Sequence, residues 1–108
     1  MALGYNEEQP TREEIDETTG NVALEFGQNW CGYCKAAKPD LDGALAGRDV
    51  ERIKVADGKG LPLGRSFQVK LWPTLVLLRD GVEVDRLVRP QSQDEVAEAL
   101  DRAGFGMH

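Results

Sequence analysis

Residues 29–35 read NWCGYCK, and they hold the only two cysteines of the 108-residue chain, Cys31 and Cys34, directly behind Trp30. Such a pair is a disulfide staple, part of a metal site or a working dithiol, and the flanking sequence bears on the choice. Upstream, VALEF (Val22–Phe26) is a short apolar run of strand formers that ends five residues before Cys31. Downstream, KAAKPDLDGALAG (Lys35–Gly47) favours helix, with Leu41 and Leu45 on one stripe and Pro39 expected to impose a bend. The cysteines therefore sit where a strand turns into a helix. A thiol at a helix N-terminus faces unpaired backbone N–H groups and the positive end of the helix dipole, which favour thiolate over thiol. This makes Cys31 the expected nucleophile and Cys34, inside the first helical turn and less exposed, the expected resolving thiol. Gly32 lets the backbone pass close to an incoming substrate, and Tyr33 places an uncharged aromatic ring on the rim.

A permanent disulfide across so short a loop removes little chain entropy from the unfolded state and would stabilise weakly. A zinc site needs about four ligands, yet there is no second cysteine pair, and the single histidine, His108, is the last residue. A metal site shared between two chains stays open.

Working outward, Thr11 and Glu14 stand at capping-box spacing, so a short helix is expected from Arg12 to about Thr18, ended by Gly20 and Asn21. ERIKVA (Glu51–Ala56) reads as a second strand, followed by the glycine-rich DGKGLPLG and a short helical stretch near Arg65–Val69. The GKG in that loop lacks the full phosphate-binding pattern and reads as a turn. TLVLLR (Thr74–Arg79) and VEVDRLV (Val82–Val88) flank an Asp-Gly pair, a strong hairpin signal. Ser92 and Glu95 suggest another capping box, with Val96, Leu100 and Ala103 at helical spacing before Gly104. Strand, helix, strand, then hairpin and helix imply an α/β fold: a mixed sheet covered by helices on both faces, in one domain spanning residues 1–108.

Composition narrows the function. Hydrophobic residues at 41% and charged residues at 30% are those of a globular chain. A formal charge of −6 argues against nucleic acid and against an anionic membrane surface, leaving proteins or small molecules as partners. No apolar run reaches the ~18 residues of a membrane span. MALGYNEEQPTREEID has neither the basic start nor the apolar stretch of a signal peptide, which points to the cytoplasm. In a reducing compartment, a cysteine pair is more often catalytic or metal-binding than structural.

WCGYCK behind a buried strand, together with WPT (Trp72–Thr74) before a strand and its Asp-Gly hairpin, resembles the two signature loops of the thioredoxin family. The resemblance runs from about Asn21 to Gly104, with the motifs in the family's order. It implies that Pro73 is the family's cis-proline facing the dithiol, with Trp72 presenting its backbone to an extended substrate, and that Trp30 packs beside the active site. Without the cysteine motif, Trp72-Pro73 would read as a core tryptophan before a strand-initiating proline. Glu25 falls where most thioredoxins carry a buried aspartate. There it would be the general base for Cys34, whereas the plainer reading is a glutamate on a solvated face. Lys54 aligns with a lysine that often lies near this carboxyl, or is simply exposed. Departures from the family pattern are Tyr33 in place of the common proline, Trp72 in place of a smaller residue, a first strand reduced to ALGY, and the sequence FGQNW before the dithiol.

The activity implied is thiol-disulfide exchange on protein disulfides without a bound cofactor. Electrons would come from a thioredoxin reductase or another dithiol, and the chain would act as a monomer. Alternatives are an isomerase or oxidase role, since potential sets direction, and a non-catalytic module binding through Trp30, Tyr33 and Trp72.

Overall fold

In the run from Val22 to Gly27, alternate residues point to opposite faces of the sheet, and that alternation organises the molecule. The structure, a computed structural model, describes residues 4–107. Strand β1 (Asn21–Gly27) is central. It pairs in parallel with β2 (Glu51–Ala56) and antiparallel with β3 (Thr74–Arg79), which pairs antiparallel with β4 (Val82–Val88). The sheet is four-stranded, in the order β2-β1-β3-β4. A crossover helix, α1 (Gly32–Leu45), joins β1 to β2, as a parallel pair requires.

On one face, Ala23, Leu75, Leu77 and Leu87 pack against Leu41, Ala44 and Leu45 of α1 and against Val96, Ala99 and Leu100 of α2 (Gln93–Arg102). On the other, Val22, Leu24, Phe26, Val76 and Leu78 meet Ile15 of the short helix Arg12–Asp16, together with Leu63 of the short helix Pro62–Ser66 and Phe67 beyond it. Helices thus cover both faces, as the order of elements implies. Glu25 and Gly27 lie on the α1 face, beneath the start of that helix.

Local chemistry accounts for the boundaries. The Thr11 capping box forms, with Thr11 Oγ1 accepting from Glu14 N–H and Glu14 accepting from Thr11 N–H. Its helix ends at Asp16, before Thr18, with Glu17 as the C-cap. The stretch expected near Arg65–Val69 is helical earlier, at Pro62–Ser66: proline is pre-set for the first helical turn, and the positive φ of Gln68 (59°) ends the run. Pro39 lies inside α1 without stopping it. Ser92 caps α2, but Glu95 reaches past it to accept from Gln91 N–H, so the second capping box is not reciprocal. At the hairpin, Asp80 and Gly81 both take positive φ, 50° and 81°, as a type I′ turn demands. A side chain at Gly81 would also strike the Asp16 carbonyl, so the position needs glycine twice over.

Of the ALGY segment, Ala2 and Leu3 lie outside the described residues, as does His108. The chain just after ALGY does run beside β2, where Asn6 pairs with Val55 in a single parallel bridge. Ala56 N–H donates to the Asn6 carbonyl at 2.8 Å.

Candidate active site

Cys31 is the N-cap of α1, with extended backbone and a sulfur that accepts from Cys34 N–H at 3.3 Å. Its Sγ therefore occupies the position at which a helix start offers its unpaired donors. Both cysteines are free thiols, Cys31 6% exposed and Cys34 2%, in the order expected for nucleophile and resolving thiol. Burial, aided by its hydrogen bond with Cys31, pushes the Cys34 thiol from an ordinary 9.0 up to about 12. A shielded thiol of that kind reacts only after a base removes its proton.

The base candidate is reached through Tyr5, which shares a buried cluster with Cys34 and donates to Glu25. Glu25 is 1% exposed, so it is not on a solvated face. Parallel register sets Arg52 beside Ala23 and Lys54 beside Glu25, which brings both cations to the face Glu25 occupies. Arg52 donates twice to Glu25 Oε1, from Nε at 3.0 Å and Nη2 at 2.7 Å, and bridges on to Asp42 Oδ1 at 2.7 Å. Lys54 Nζ lies 4.0 Å from Oε2, and burial lowers its pKa. Tyr5 O–H donates to Oε2 at 2.5 Å. A buried carboxylate is tolerable only with such partners, and among the described residues no buried side-chain nitrogen or oxygen lacks one.

The outer side of the dithiol is aromatic. Trp30 (69% exposed) and Trp72 meet edge to face with ring centroids 5.7 Å apart. Trp72 packs on the cluster formed by Tyr5, Cys31, Cys34 and Ala56, and its indole N–H donates to Asp57 Oδ2 at 2.8 Å. The Trp72–Pro73 peptide is cis. Tyr33 (61% exposed) lies under the Arg89 guanidinium at 3.8 Å, and Arg89 Nε donates to the Trp72 carbonyl at 2.9 Å. That carbonyl keeps one lone pair for another donor. Around Gly32 there is open space where a side chain would stand, so its backbone is approachable.

Two thiols in contact, one capping a helix and one buried in its first turn, have disulfide exchange as their natural chemistry, and the molecule is a thiol-disulfide oxidoreductase. The chain belongs to the thioredoxin family, whose model matches residues 5–102. It is 36% identical to thioredoxin H2-1 of Oryza sativa subsp. japonica over 86 residues, covering 78% of this chain but 61% of that protein. It is 32% identical to a thioredoxin of Staphylococcus haemolyticus, covering 85% of this chain and 92% of that one. Thioredoxin 2 of Pseudomonas aeruginosa PAO1, solved in its reduced form, superposes with a TM-score of 0.85 at 50% identity, over 94% of this chain and 95% of that chain. The non-catalytic binding module gives way to the enzyme reading.

Among the described residues no group of three or more His, Cys, Asp or Glu stands where it could hold a metal ion. No helix among them is long and apolar enough to cross a membrane.

Sequence reading missed Tyr5, Arg52, Asp57 and Arg89. Arg52 was findable, since it sits two residues before Lys54 in a strand and so shares its face. Gln28 and Asn29, noted only as departures, are ties: Gln28 Nε2 donates to the Asp57 carbonyl at 2.5 Å, and Asn29 is paired to the Tyr5 backbone through both ends of its amide.

Proposed function

We propose that this chain, acting as one domain over residues 1–108, reduces or exchanges protein disulfides through Cys31 and Cys34. Cys31 thiolate attacks one sulfur of the substrate disulfide, so that a mixed disulfide forms and the other substrate sulfur leaves as thiolate. Glu25 takes the proton of Cys34. The Cys34 thiolate then attacks Cys31 Sγ, the mixed disulfide breaks, and the substrate leaves reduced as the Cys31–Cys34 bond forms. Trp30, Gly32, Tyr33, Trp72 and Pro73 form the docking rim. The dithiol is regenerated by a thioredoxin reductase or another dithiol, with no bound cofactor, by a monomer working in the cytoplasm. That location agrees with a cysteine pair kept for catalysis.

The observation that carries this reading is the asymmetry of the pair: Cys31 is held at the helix start, and Cys34 is buried beside Tyr5, whose hydroxyl donates to Glu25. Cys34→Ser tests it. The first attack needs only Cys31, whereas a serine hydroxyl cannot resolve the mixed disulfide. Substrate proteins should accumulate as covalent adducts of Cys34→Ser that dithiol releases. No such adduct above a variant lacking both thiols, with disulfide proteins supplied, would defeat the proposal.

A further inference from the structure

Glu25 lies on β1 and Cys34 on α1, and the group placed between them is the phenol of Tyr5. Its O–H donates to Glu25 Oε2 at 2.5 Å. On the other side, Tyr5 Cζ and Cys34 Sγ crowd the same point over Gly27: a side chain at that position would meet them at 2.6 and 2.8 Å. The missing side chain of Gly27 is what lets ring and sulfur meet. Tyr5 is 8% exposed and fixed from several directions. Asn29 accepts from its N–H at 2.8 Å and donates to its carbonyl at 3.1 Å, and Lys54 Nζ lies 4.6 Å from the ring centroid. The next residue, Asn6, is held on β2.

We propose that Tyr5 relays the proton of Cys34 to Glu25: as Cys34 S–H gives its proton to the phenol oxygen, the phenol O–H gives its own to Glu25 Oε2. The result is a Cys34 thiolate, a neutral tyrosine and a protonated Glu25. Cys34 then attacks Cys31 of the mixed disulfide as before. Burial and the neighbouring Glu25 charge hold the phenol's pKa far above its usual value, and the phenol shares one buried cluster with the Cys34 thiol. The phenol thus stays neutral, passing a proton rather than storing a charge. The inference rests on Glu25 as the base and adds the path by which the proton reaches it. The rival path is a water in the cleft lined by Tyr5, Gln28, Asn29, Cys34, Lys35 and Lys54.

The test mixes the reduced full-length protein with the aromatic disulfide dithiobis(nitrobenzoate) in a stopped-flow instrument. The first coloured thiolate reports attack by Cys31, and the second reports resolution by Cys34. In the native protein the second phase should be flat across neutral pH, because an internal base takes the proton. In Tyr5→Phe, which keeps the ring, the first phase should stay within about twofold. The second should slow by at least ~10-fold and then climb about tenfold per pH unit, as hydroxide replaces the relay.

A Tyr5→Phe second phase that keeps the native rate, or slows without changing its pH profile, overturns the relay. If Glu25→Gln still slows resolution in that case, Glu25 stands as the base and the water path takes the proton. A second phase unchanged in Glu25→Gln overturns base and relay together. So does a native second phase that already climbs tenfold per pH unit, a result that requires no variant to fold. Absence of the first thiolate in the native protein would remove the oxidoreductase reading itself.

Discussion

The two sides of the dithiol are built from opposite materials. Inside, Cys34 packs with Tyr5, whose hydroxyl donates to the buried Glu25, and the half-buried Arg52 and Lys54 lie against the same carboxylate. Outside, Cys31 opens toward Trp30 and Tyr33, which are 69% and 61% exposed, and toward Trp72 and Arg89. In the proposed mechanism the inner polar cluster acts on protons, because low dielectric strengthens each charge in it. In the same mechanism the outer aromatic rim acts on partners, because rings with a polar edge supply contact area at low entropic cost. The two sulfurs are thus served by separate machinery, and changes on one side should leave the other side's step nearly intact.

The largest effects should come from the thiols themselves. Cys31→Ser should reduce turnover to the uncatalysed rate with no adduct formed, whereas Cys34→Ser should lose turnover and keep the adduct. Gel analysis under non-reducing conditions separates them. Next, Glu25→Gln should slow release of the second thiolate by ~10²-fold, within the usual range for general-base catalysis, and leave the first within about twofold. Arg52 is not orphaned by this change, since Asp42 still accepts from it at 2.7 Å. Equal slowing of both phases would erase the distinction between the two sides.

The inner side also predicts a pH dependence of stability. Cys34 is protonated in both folded and unfolded chains below 9.0, and between there and about 12 only the unfolded chain gives up that proton. The contribution is present below 9.0 and is lost as pH rises through that window, by at most ~1.4 kcal/mol per pH unit. Urea unfolding of the reduced protein at alkaline pH should show the fall, and Cys34→Ser should flatten it.

On the outer side the effects are smaller. Trp72→Phe leaves the Asp57 carboxylate, 7% exposed, without its indole donor. A cost of ~1–3 kcal/mol is expected by denaturant titration. Trp30→Ala should change stability by no more than ~0.5 kcal/mol while weakening capture of substrate proteins several-fold. The smallest effect concerns Arg89, whose φ of 50° is unusual for a residue with a side chain. Arg89→Ala and Arg89→Gly both lose the Tyr33 stacking and the Trp72 carbonyl bond, but only glycine accepts that backbone freely. Arg89→Gly should be the more stable by ~1 kcal/mol.

What could be read from sequence follows the same division. Strands β1 to β4 were legible within a residue because VALEF, ERIKVA and TLVLLR are dense in strand formers and Asp80-Gly81 fixes the hairpin register. The dithiol was legible because it stands where a strand turns into a helix, whereas Glu25 was singled out only through the thioredoxin resemblance, beside the plainer reading of a solvated glutamate. Tyr5 was not, because it reaches Glu25 only when the chain before the first helix lies along β2, and one bridge at Asn6 carries no periodic signal. Arg89 was hidden for a related reason: it follows β4 in a loop, and its partners come from the first turn of α1, at Tyr33, and from the loop before β3, at Trp72. The second capping box misled because the Glu95 carboxylate takes the N–H of Gln91, one residue before the cap, a choice that spacing alone does not reveal.

The claim that proton handling belongs to the inner thiol alone is tested most directly by peptide-resolved alkylation of the reduced protein, following Cys31 and Cys34 separately from neutral pH through the 9.0 of an ordinary thiol and on to about 12. Cys31 should be modified first at every pH. Cys34 should stay at least ~10-fold slower and accelerate only toward about 12, where burial has placed its titration. If Cys34 is alkylated as fast as Cys31 at neutral pH, the two sides are not separate and the account is wrong.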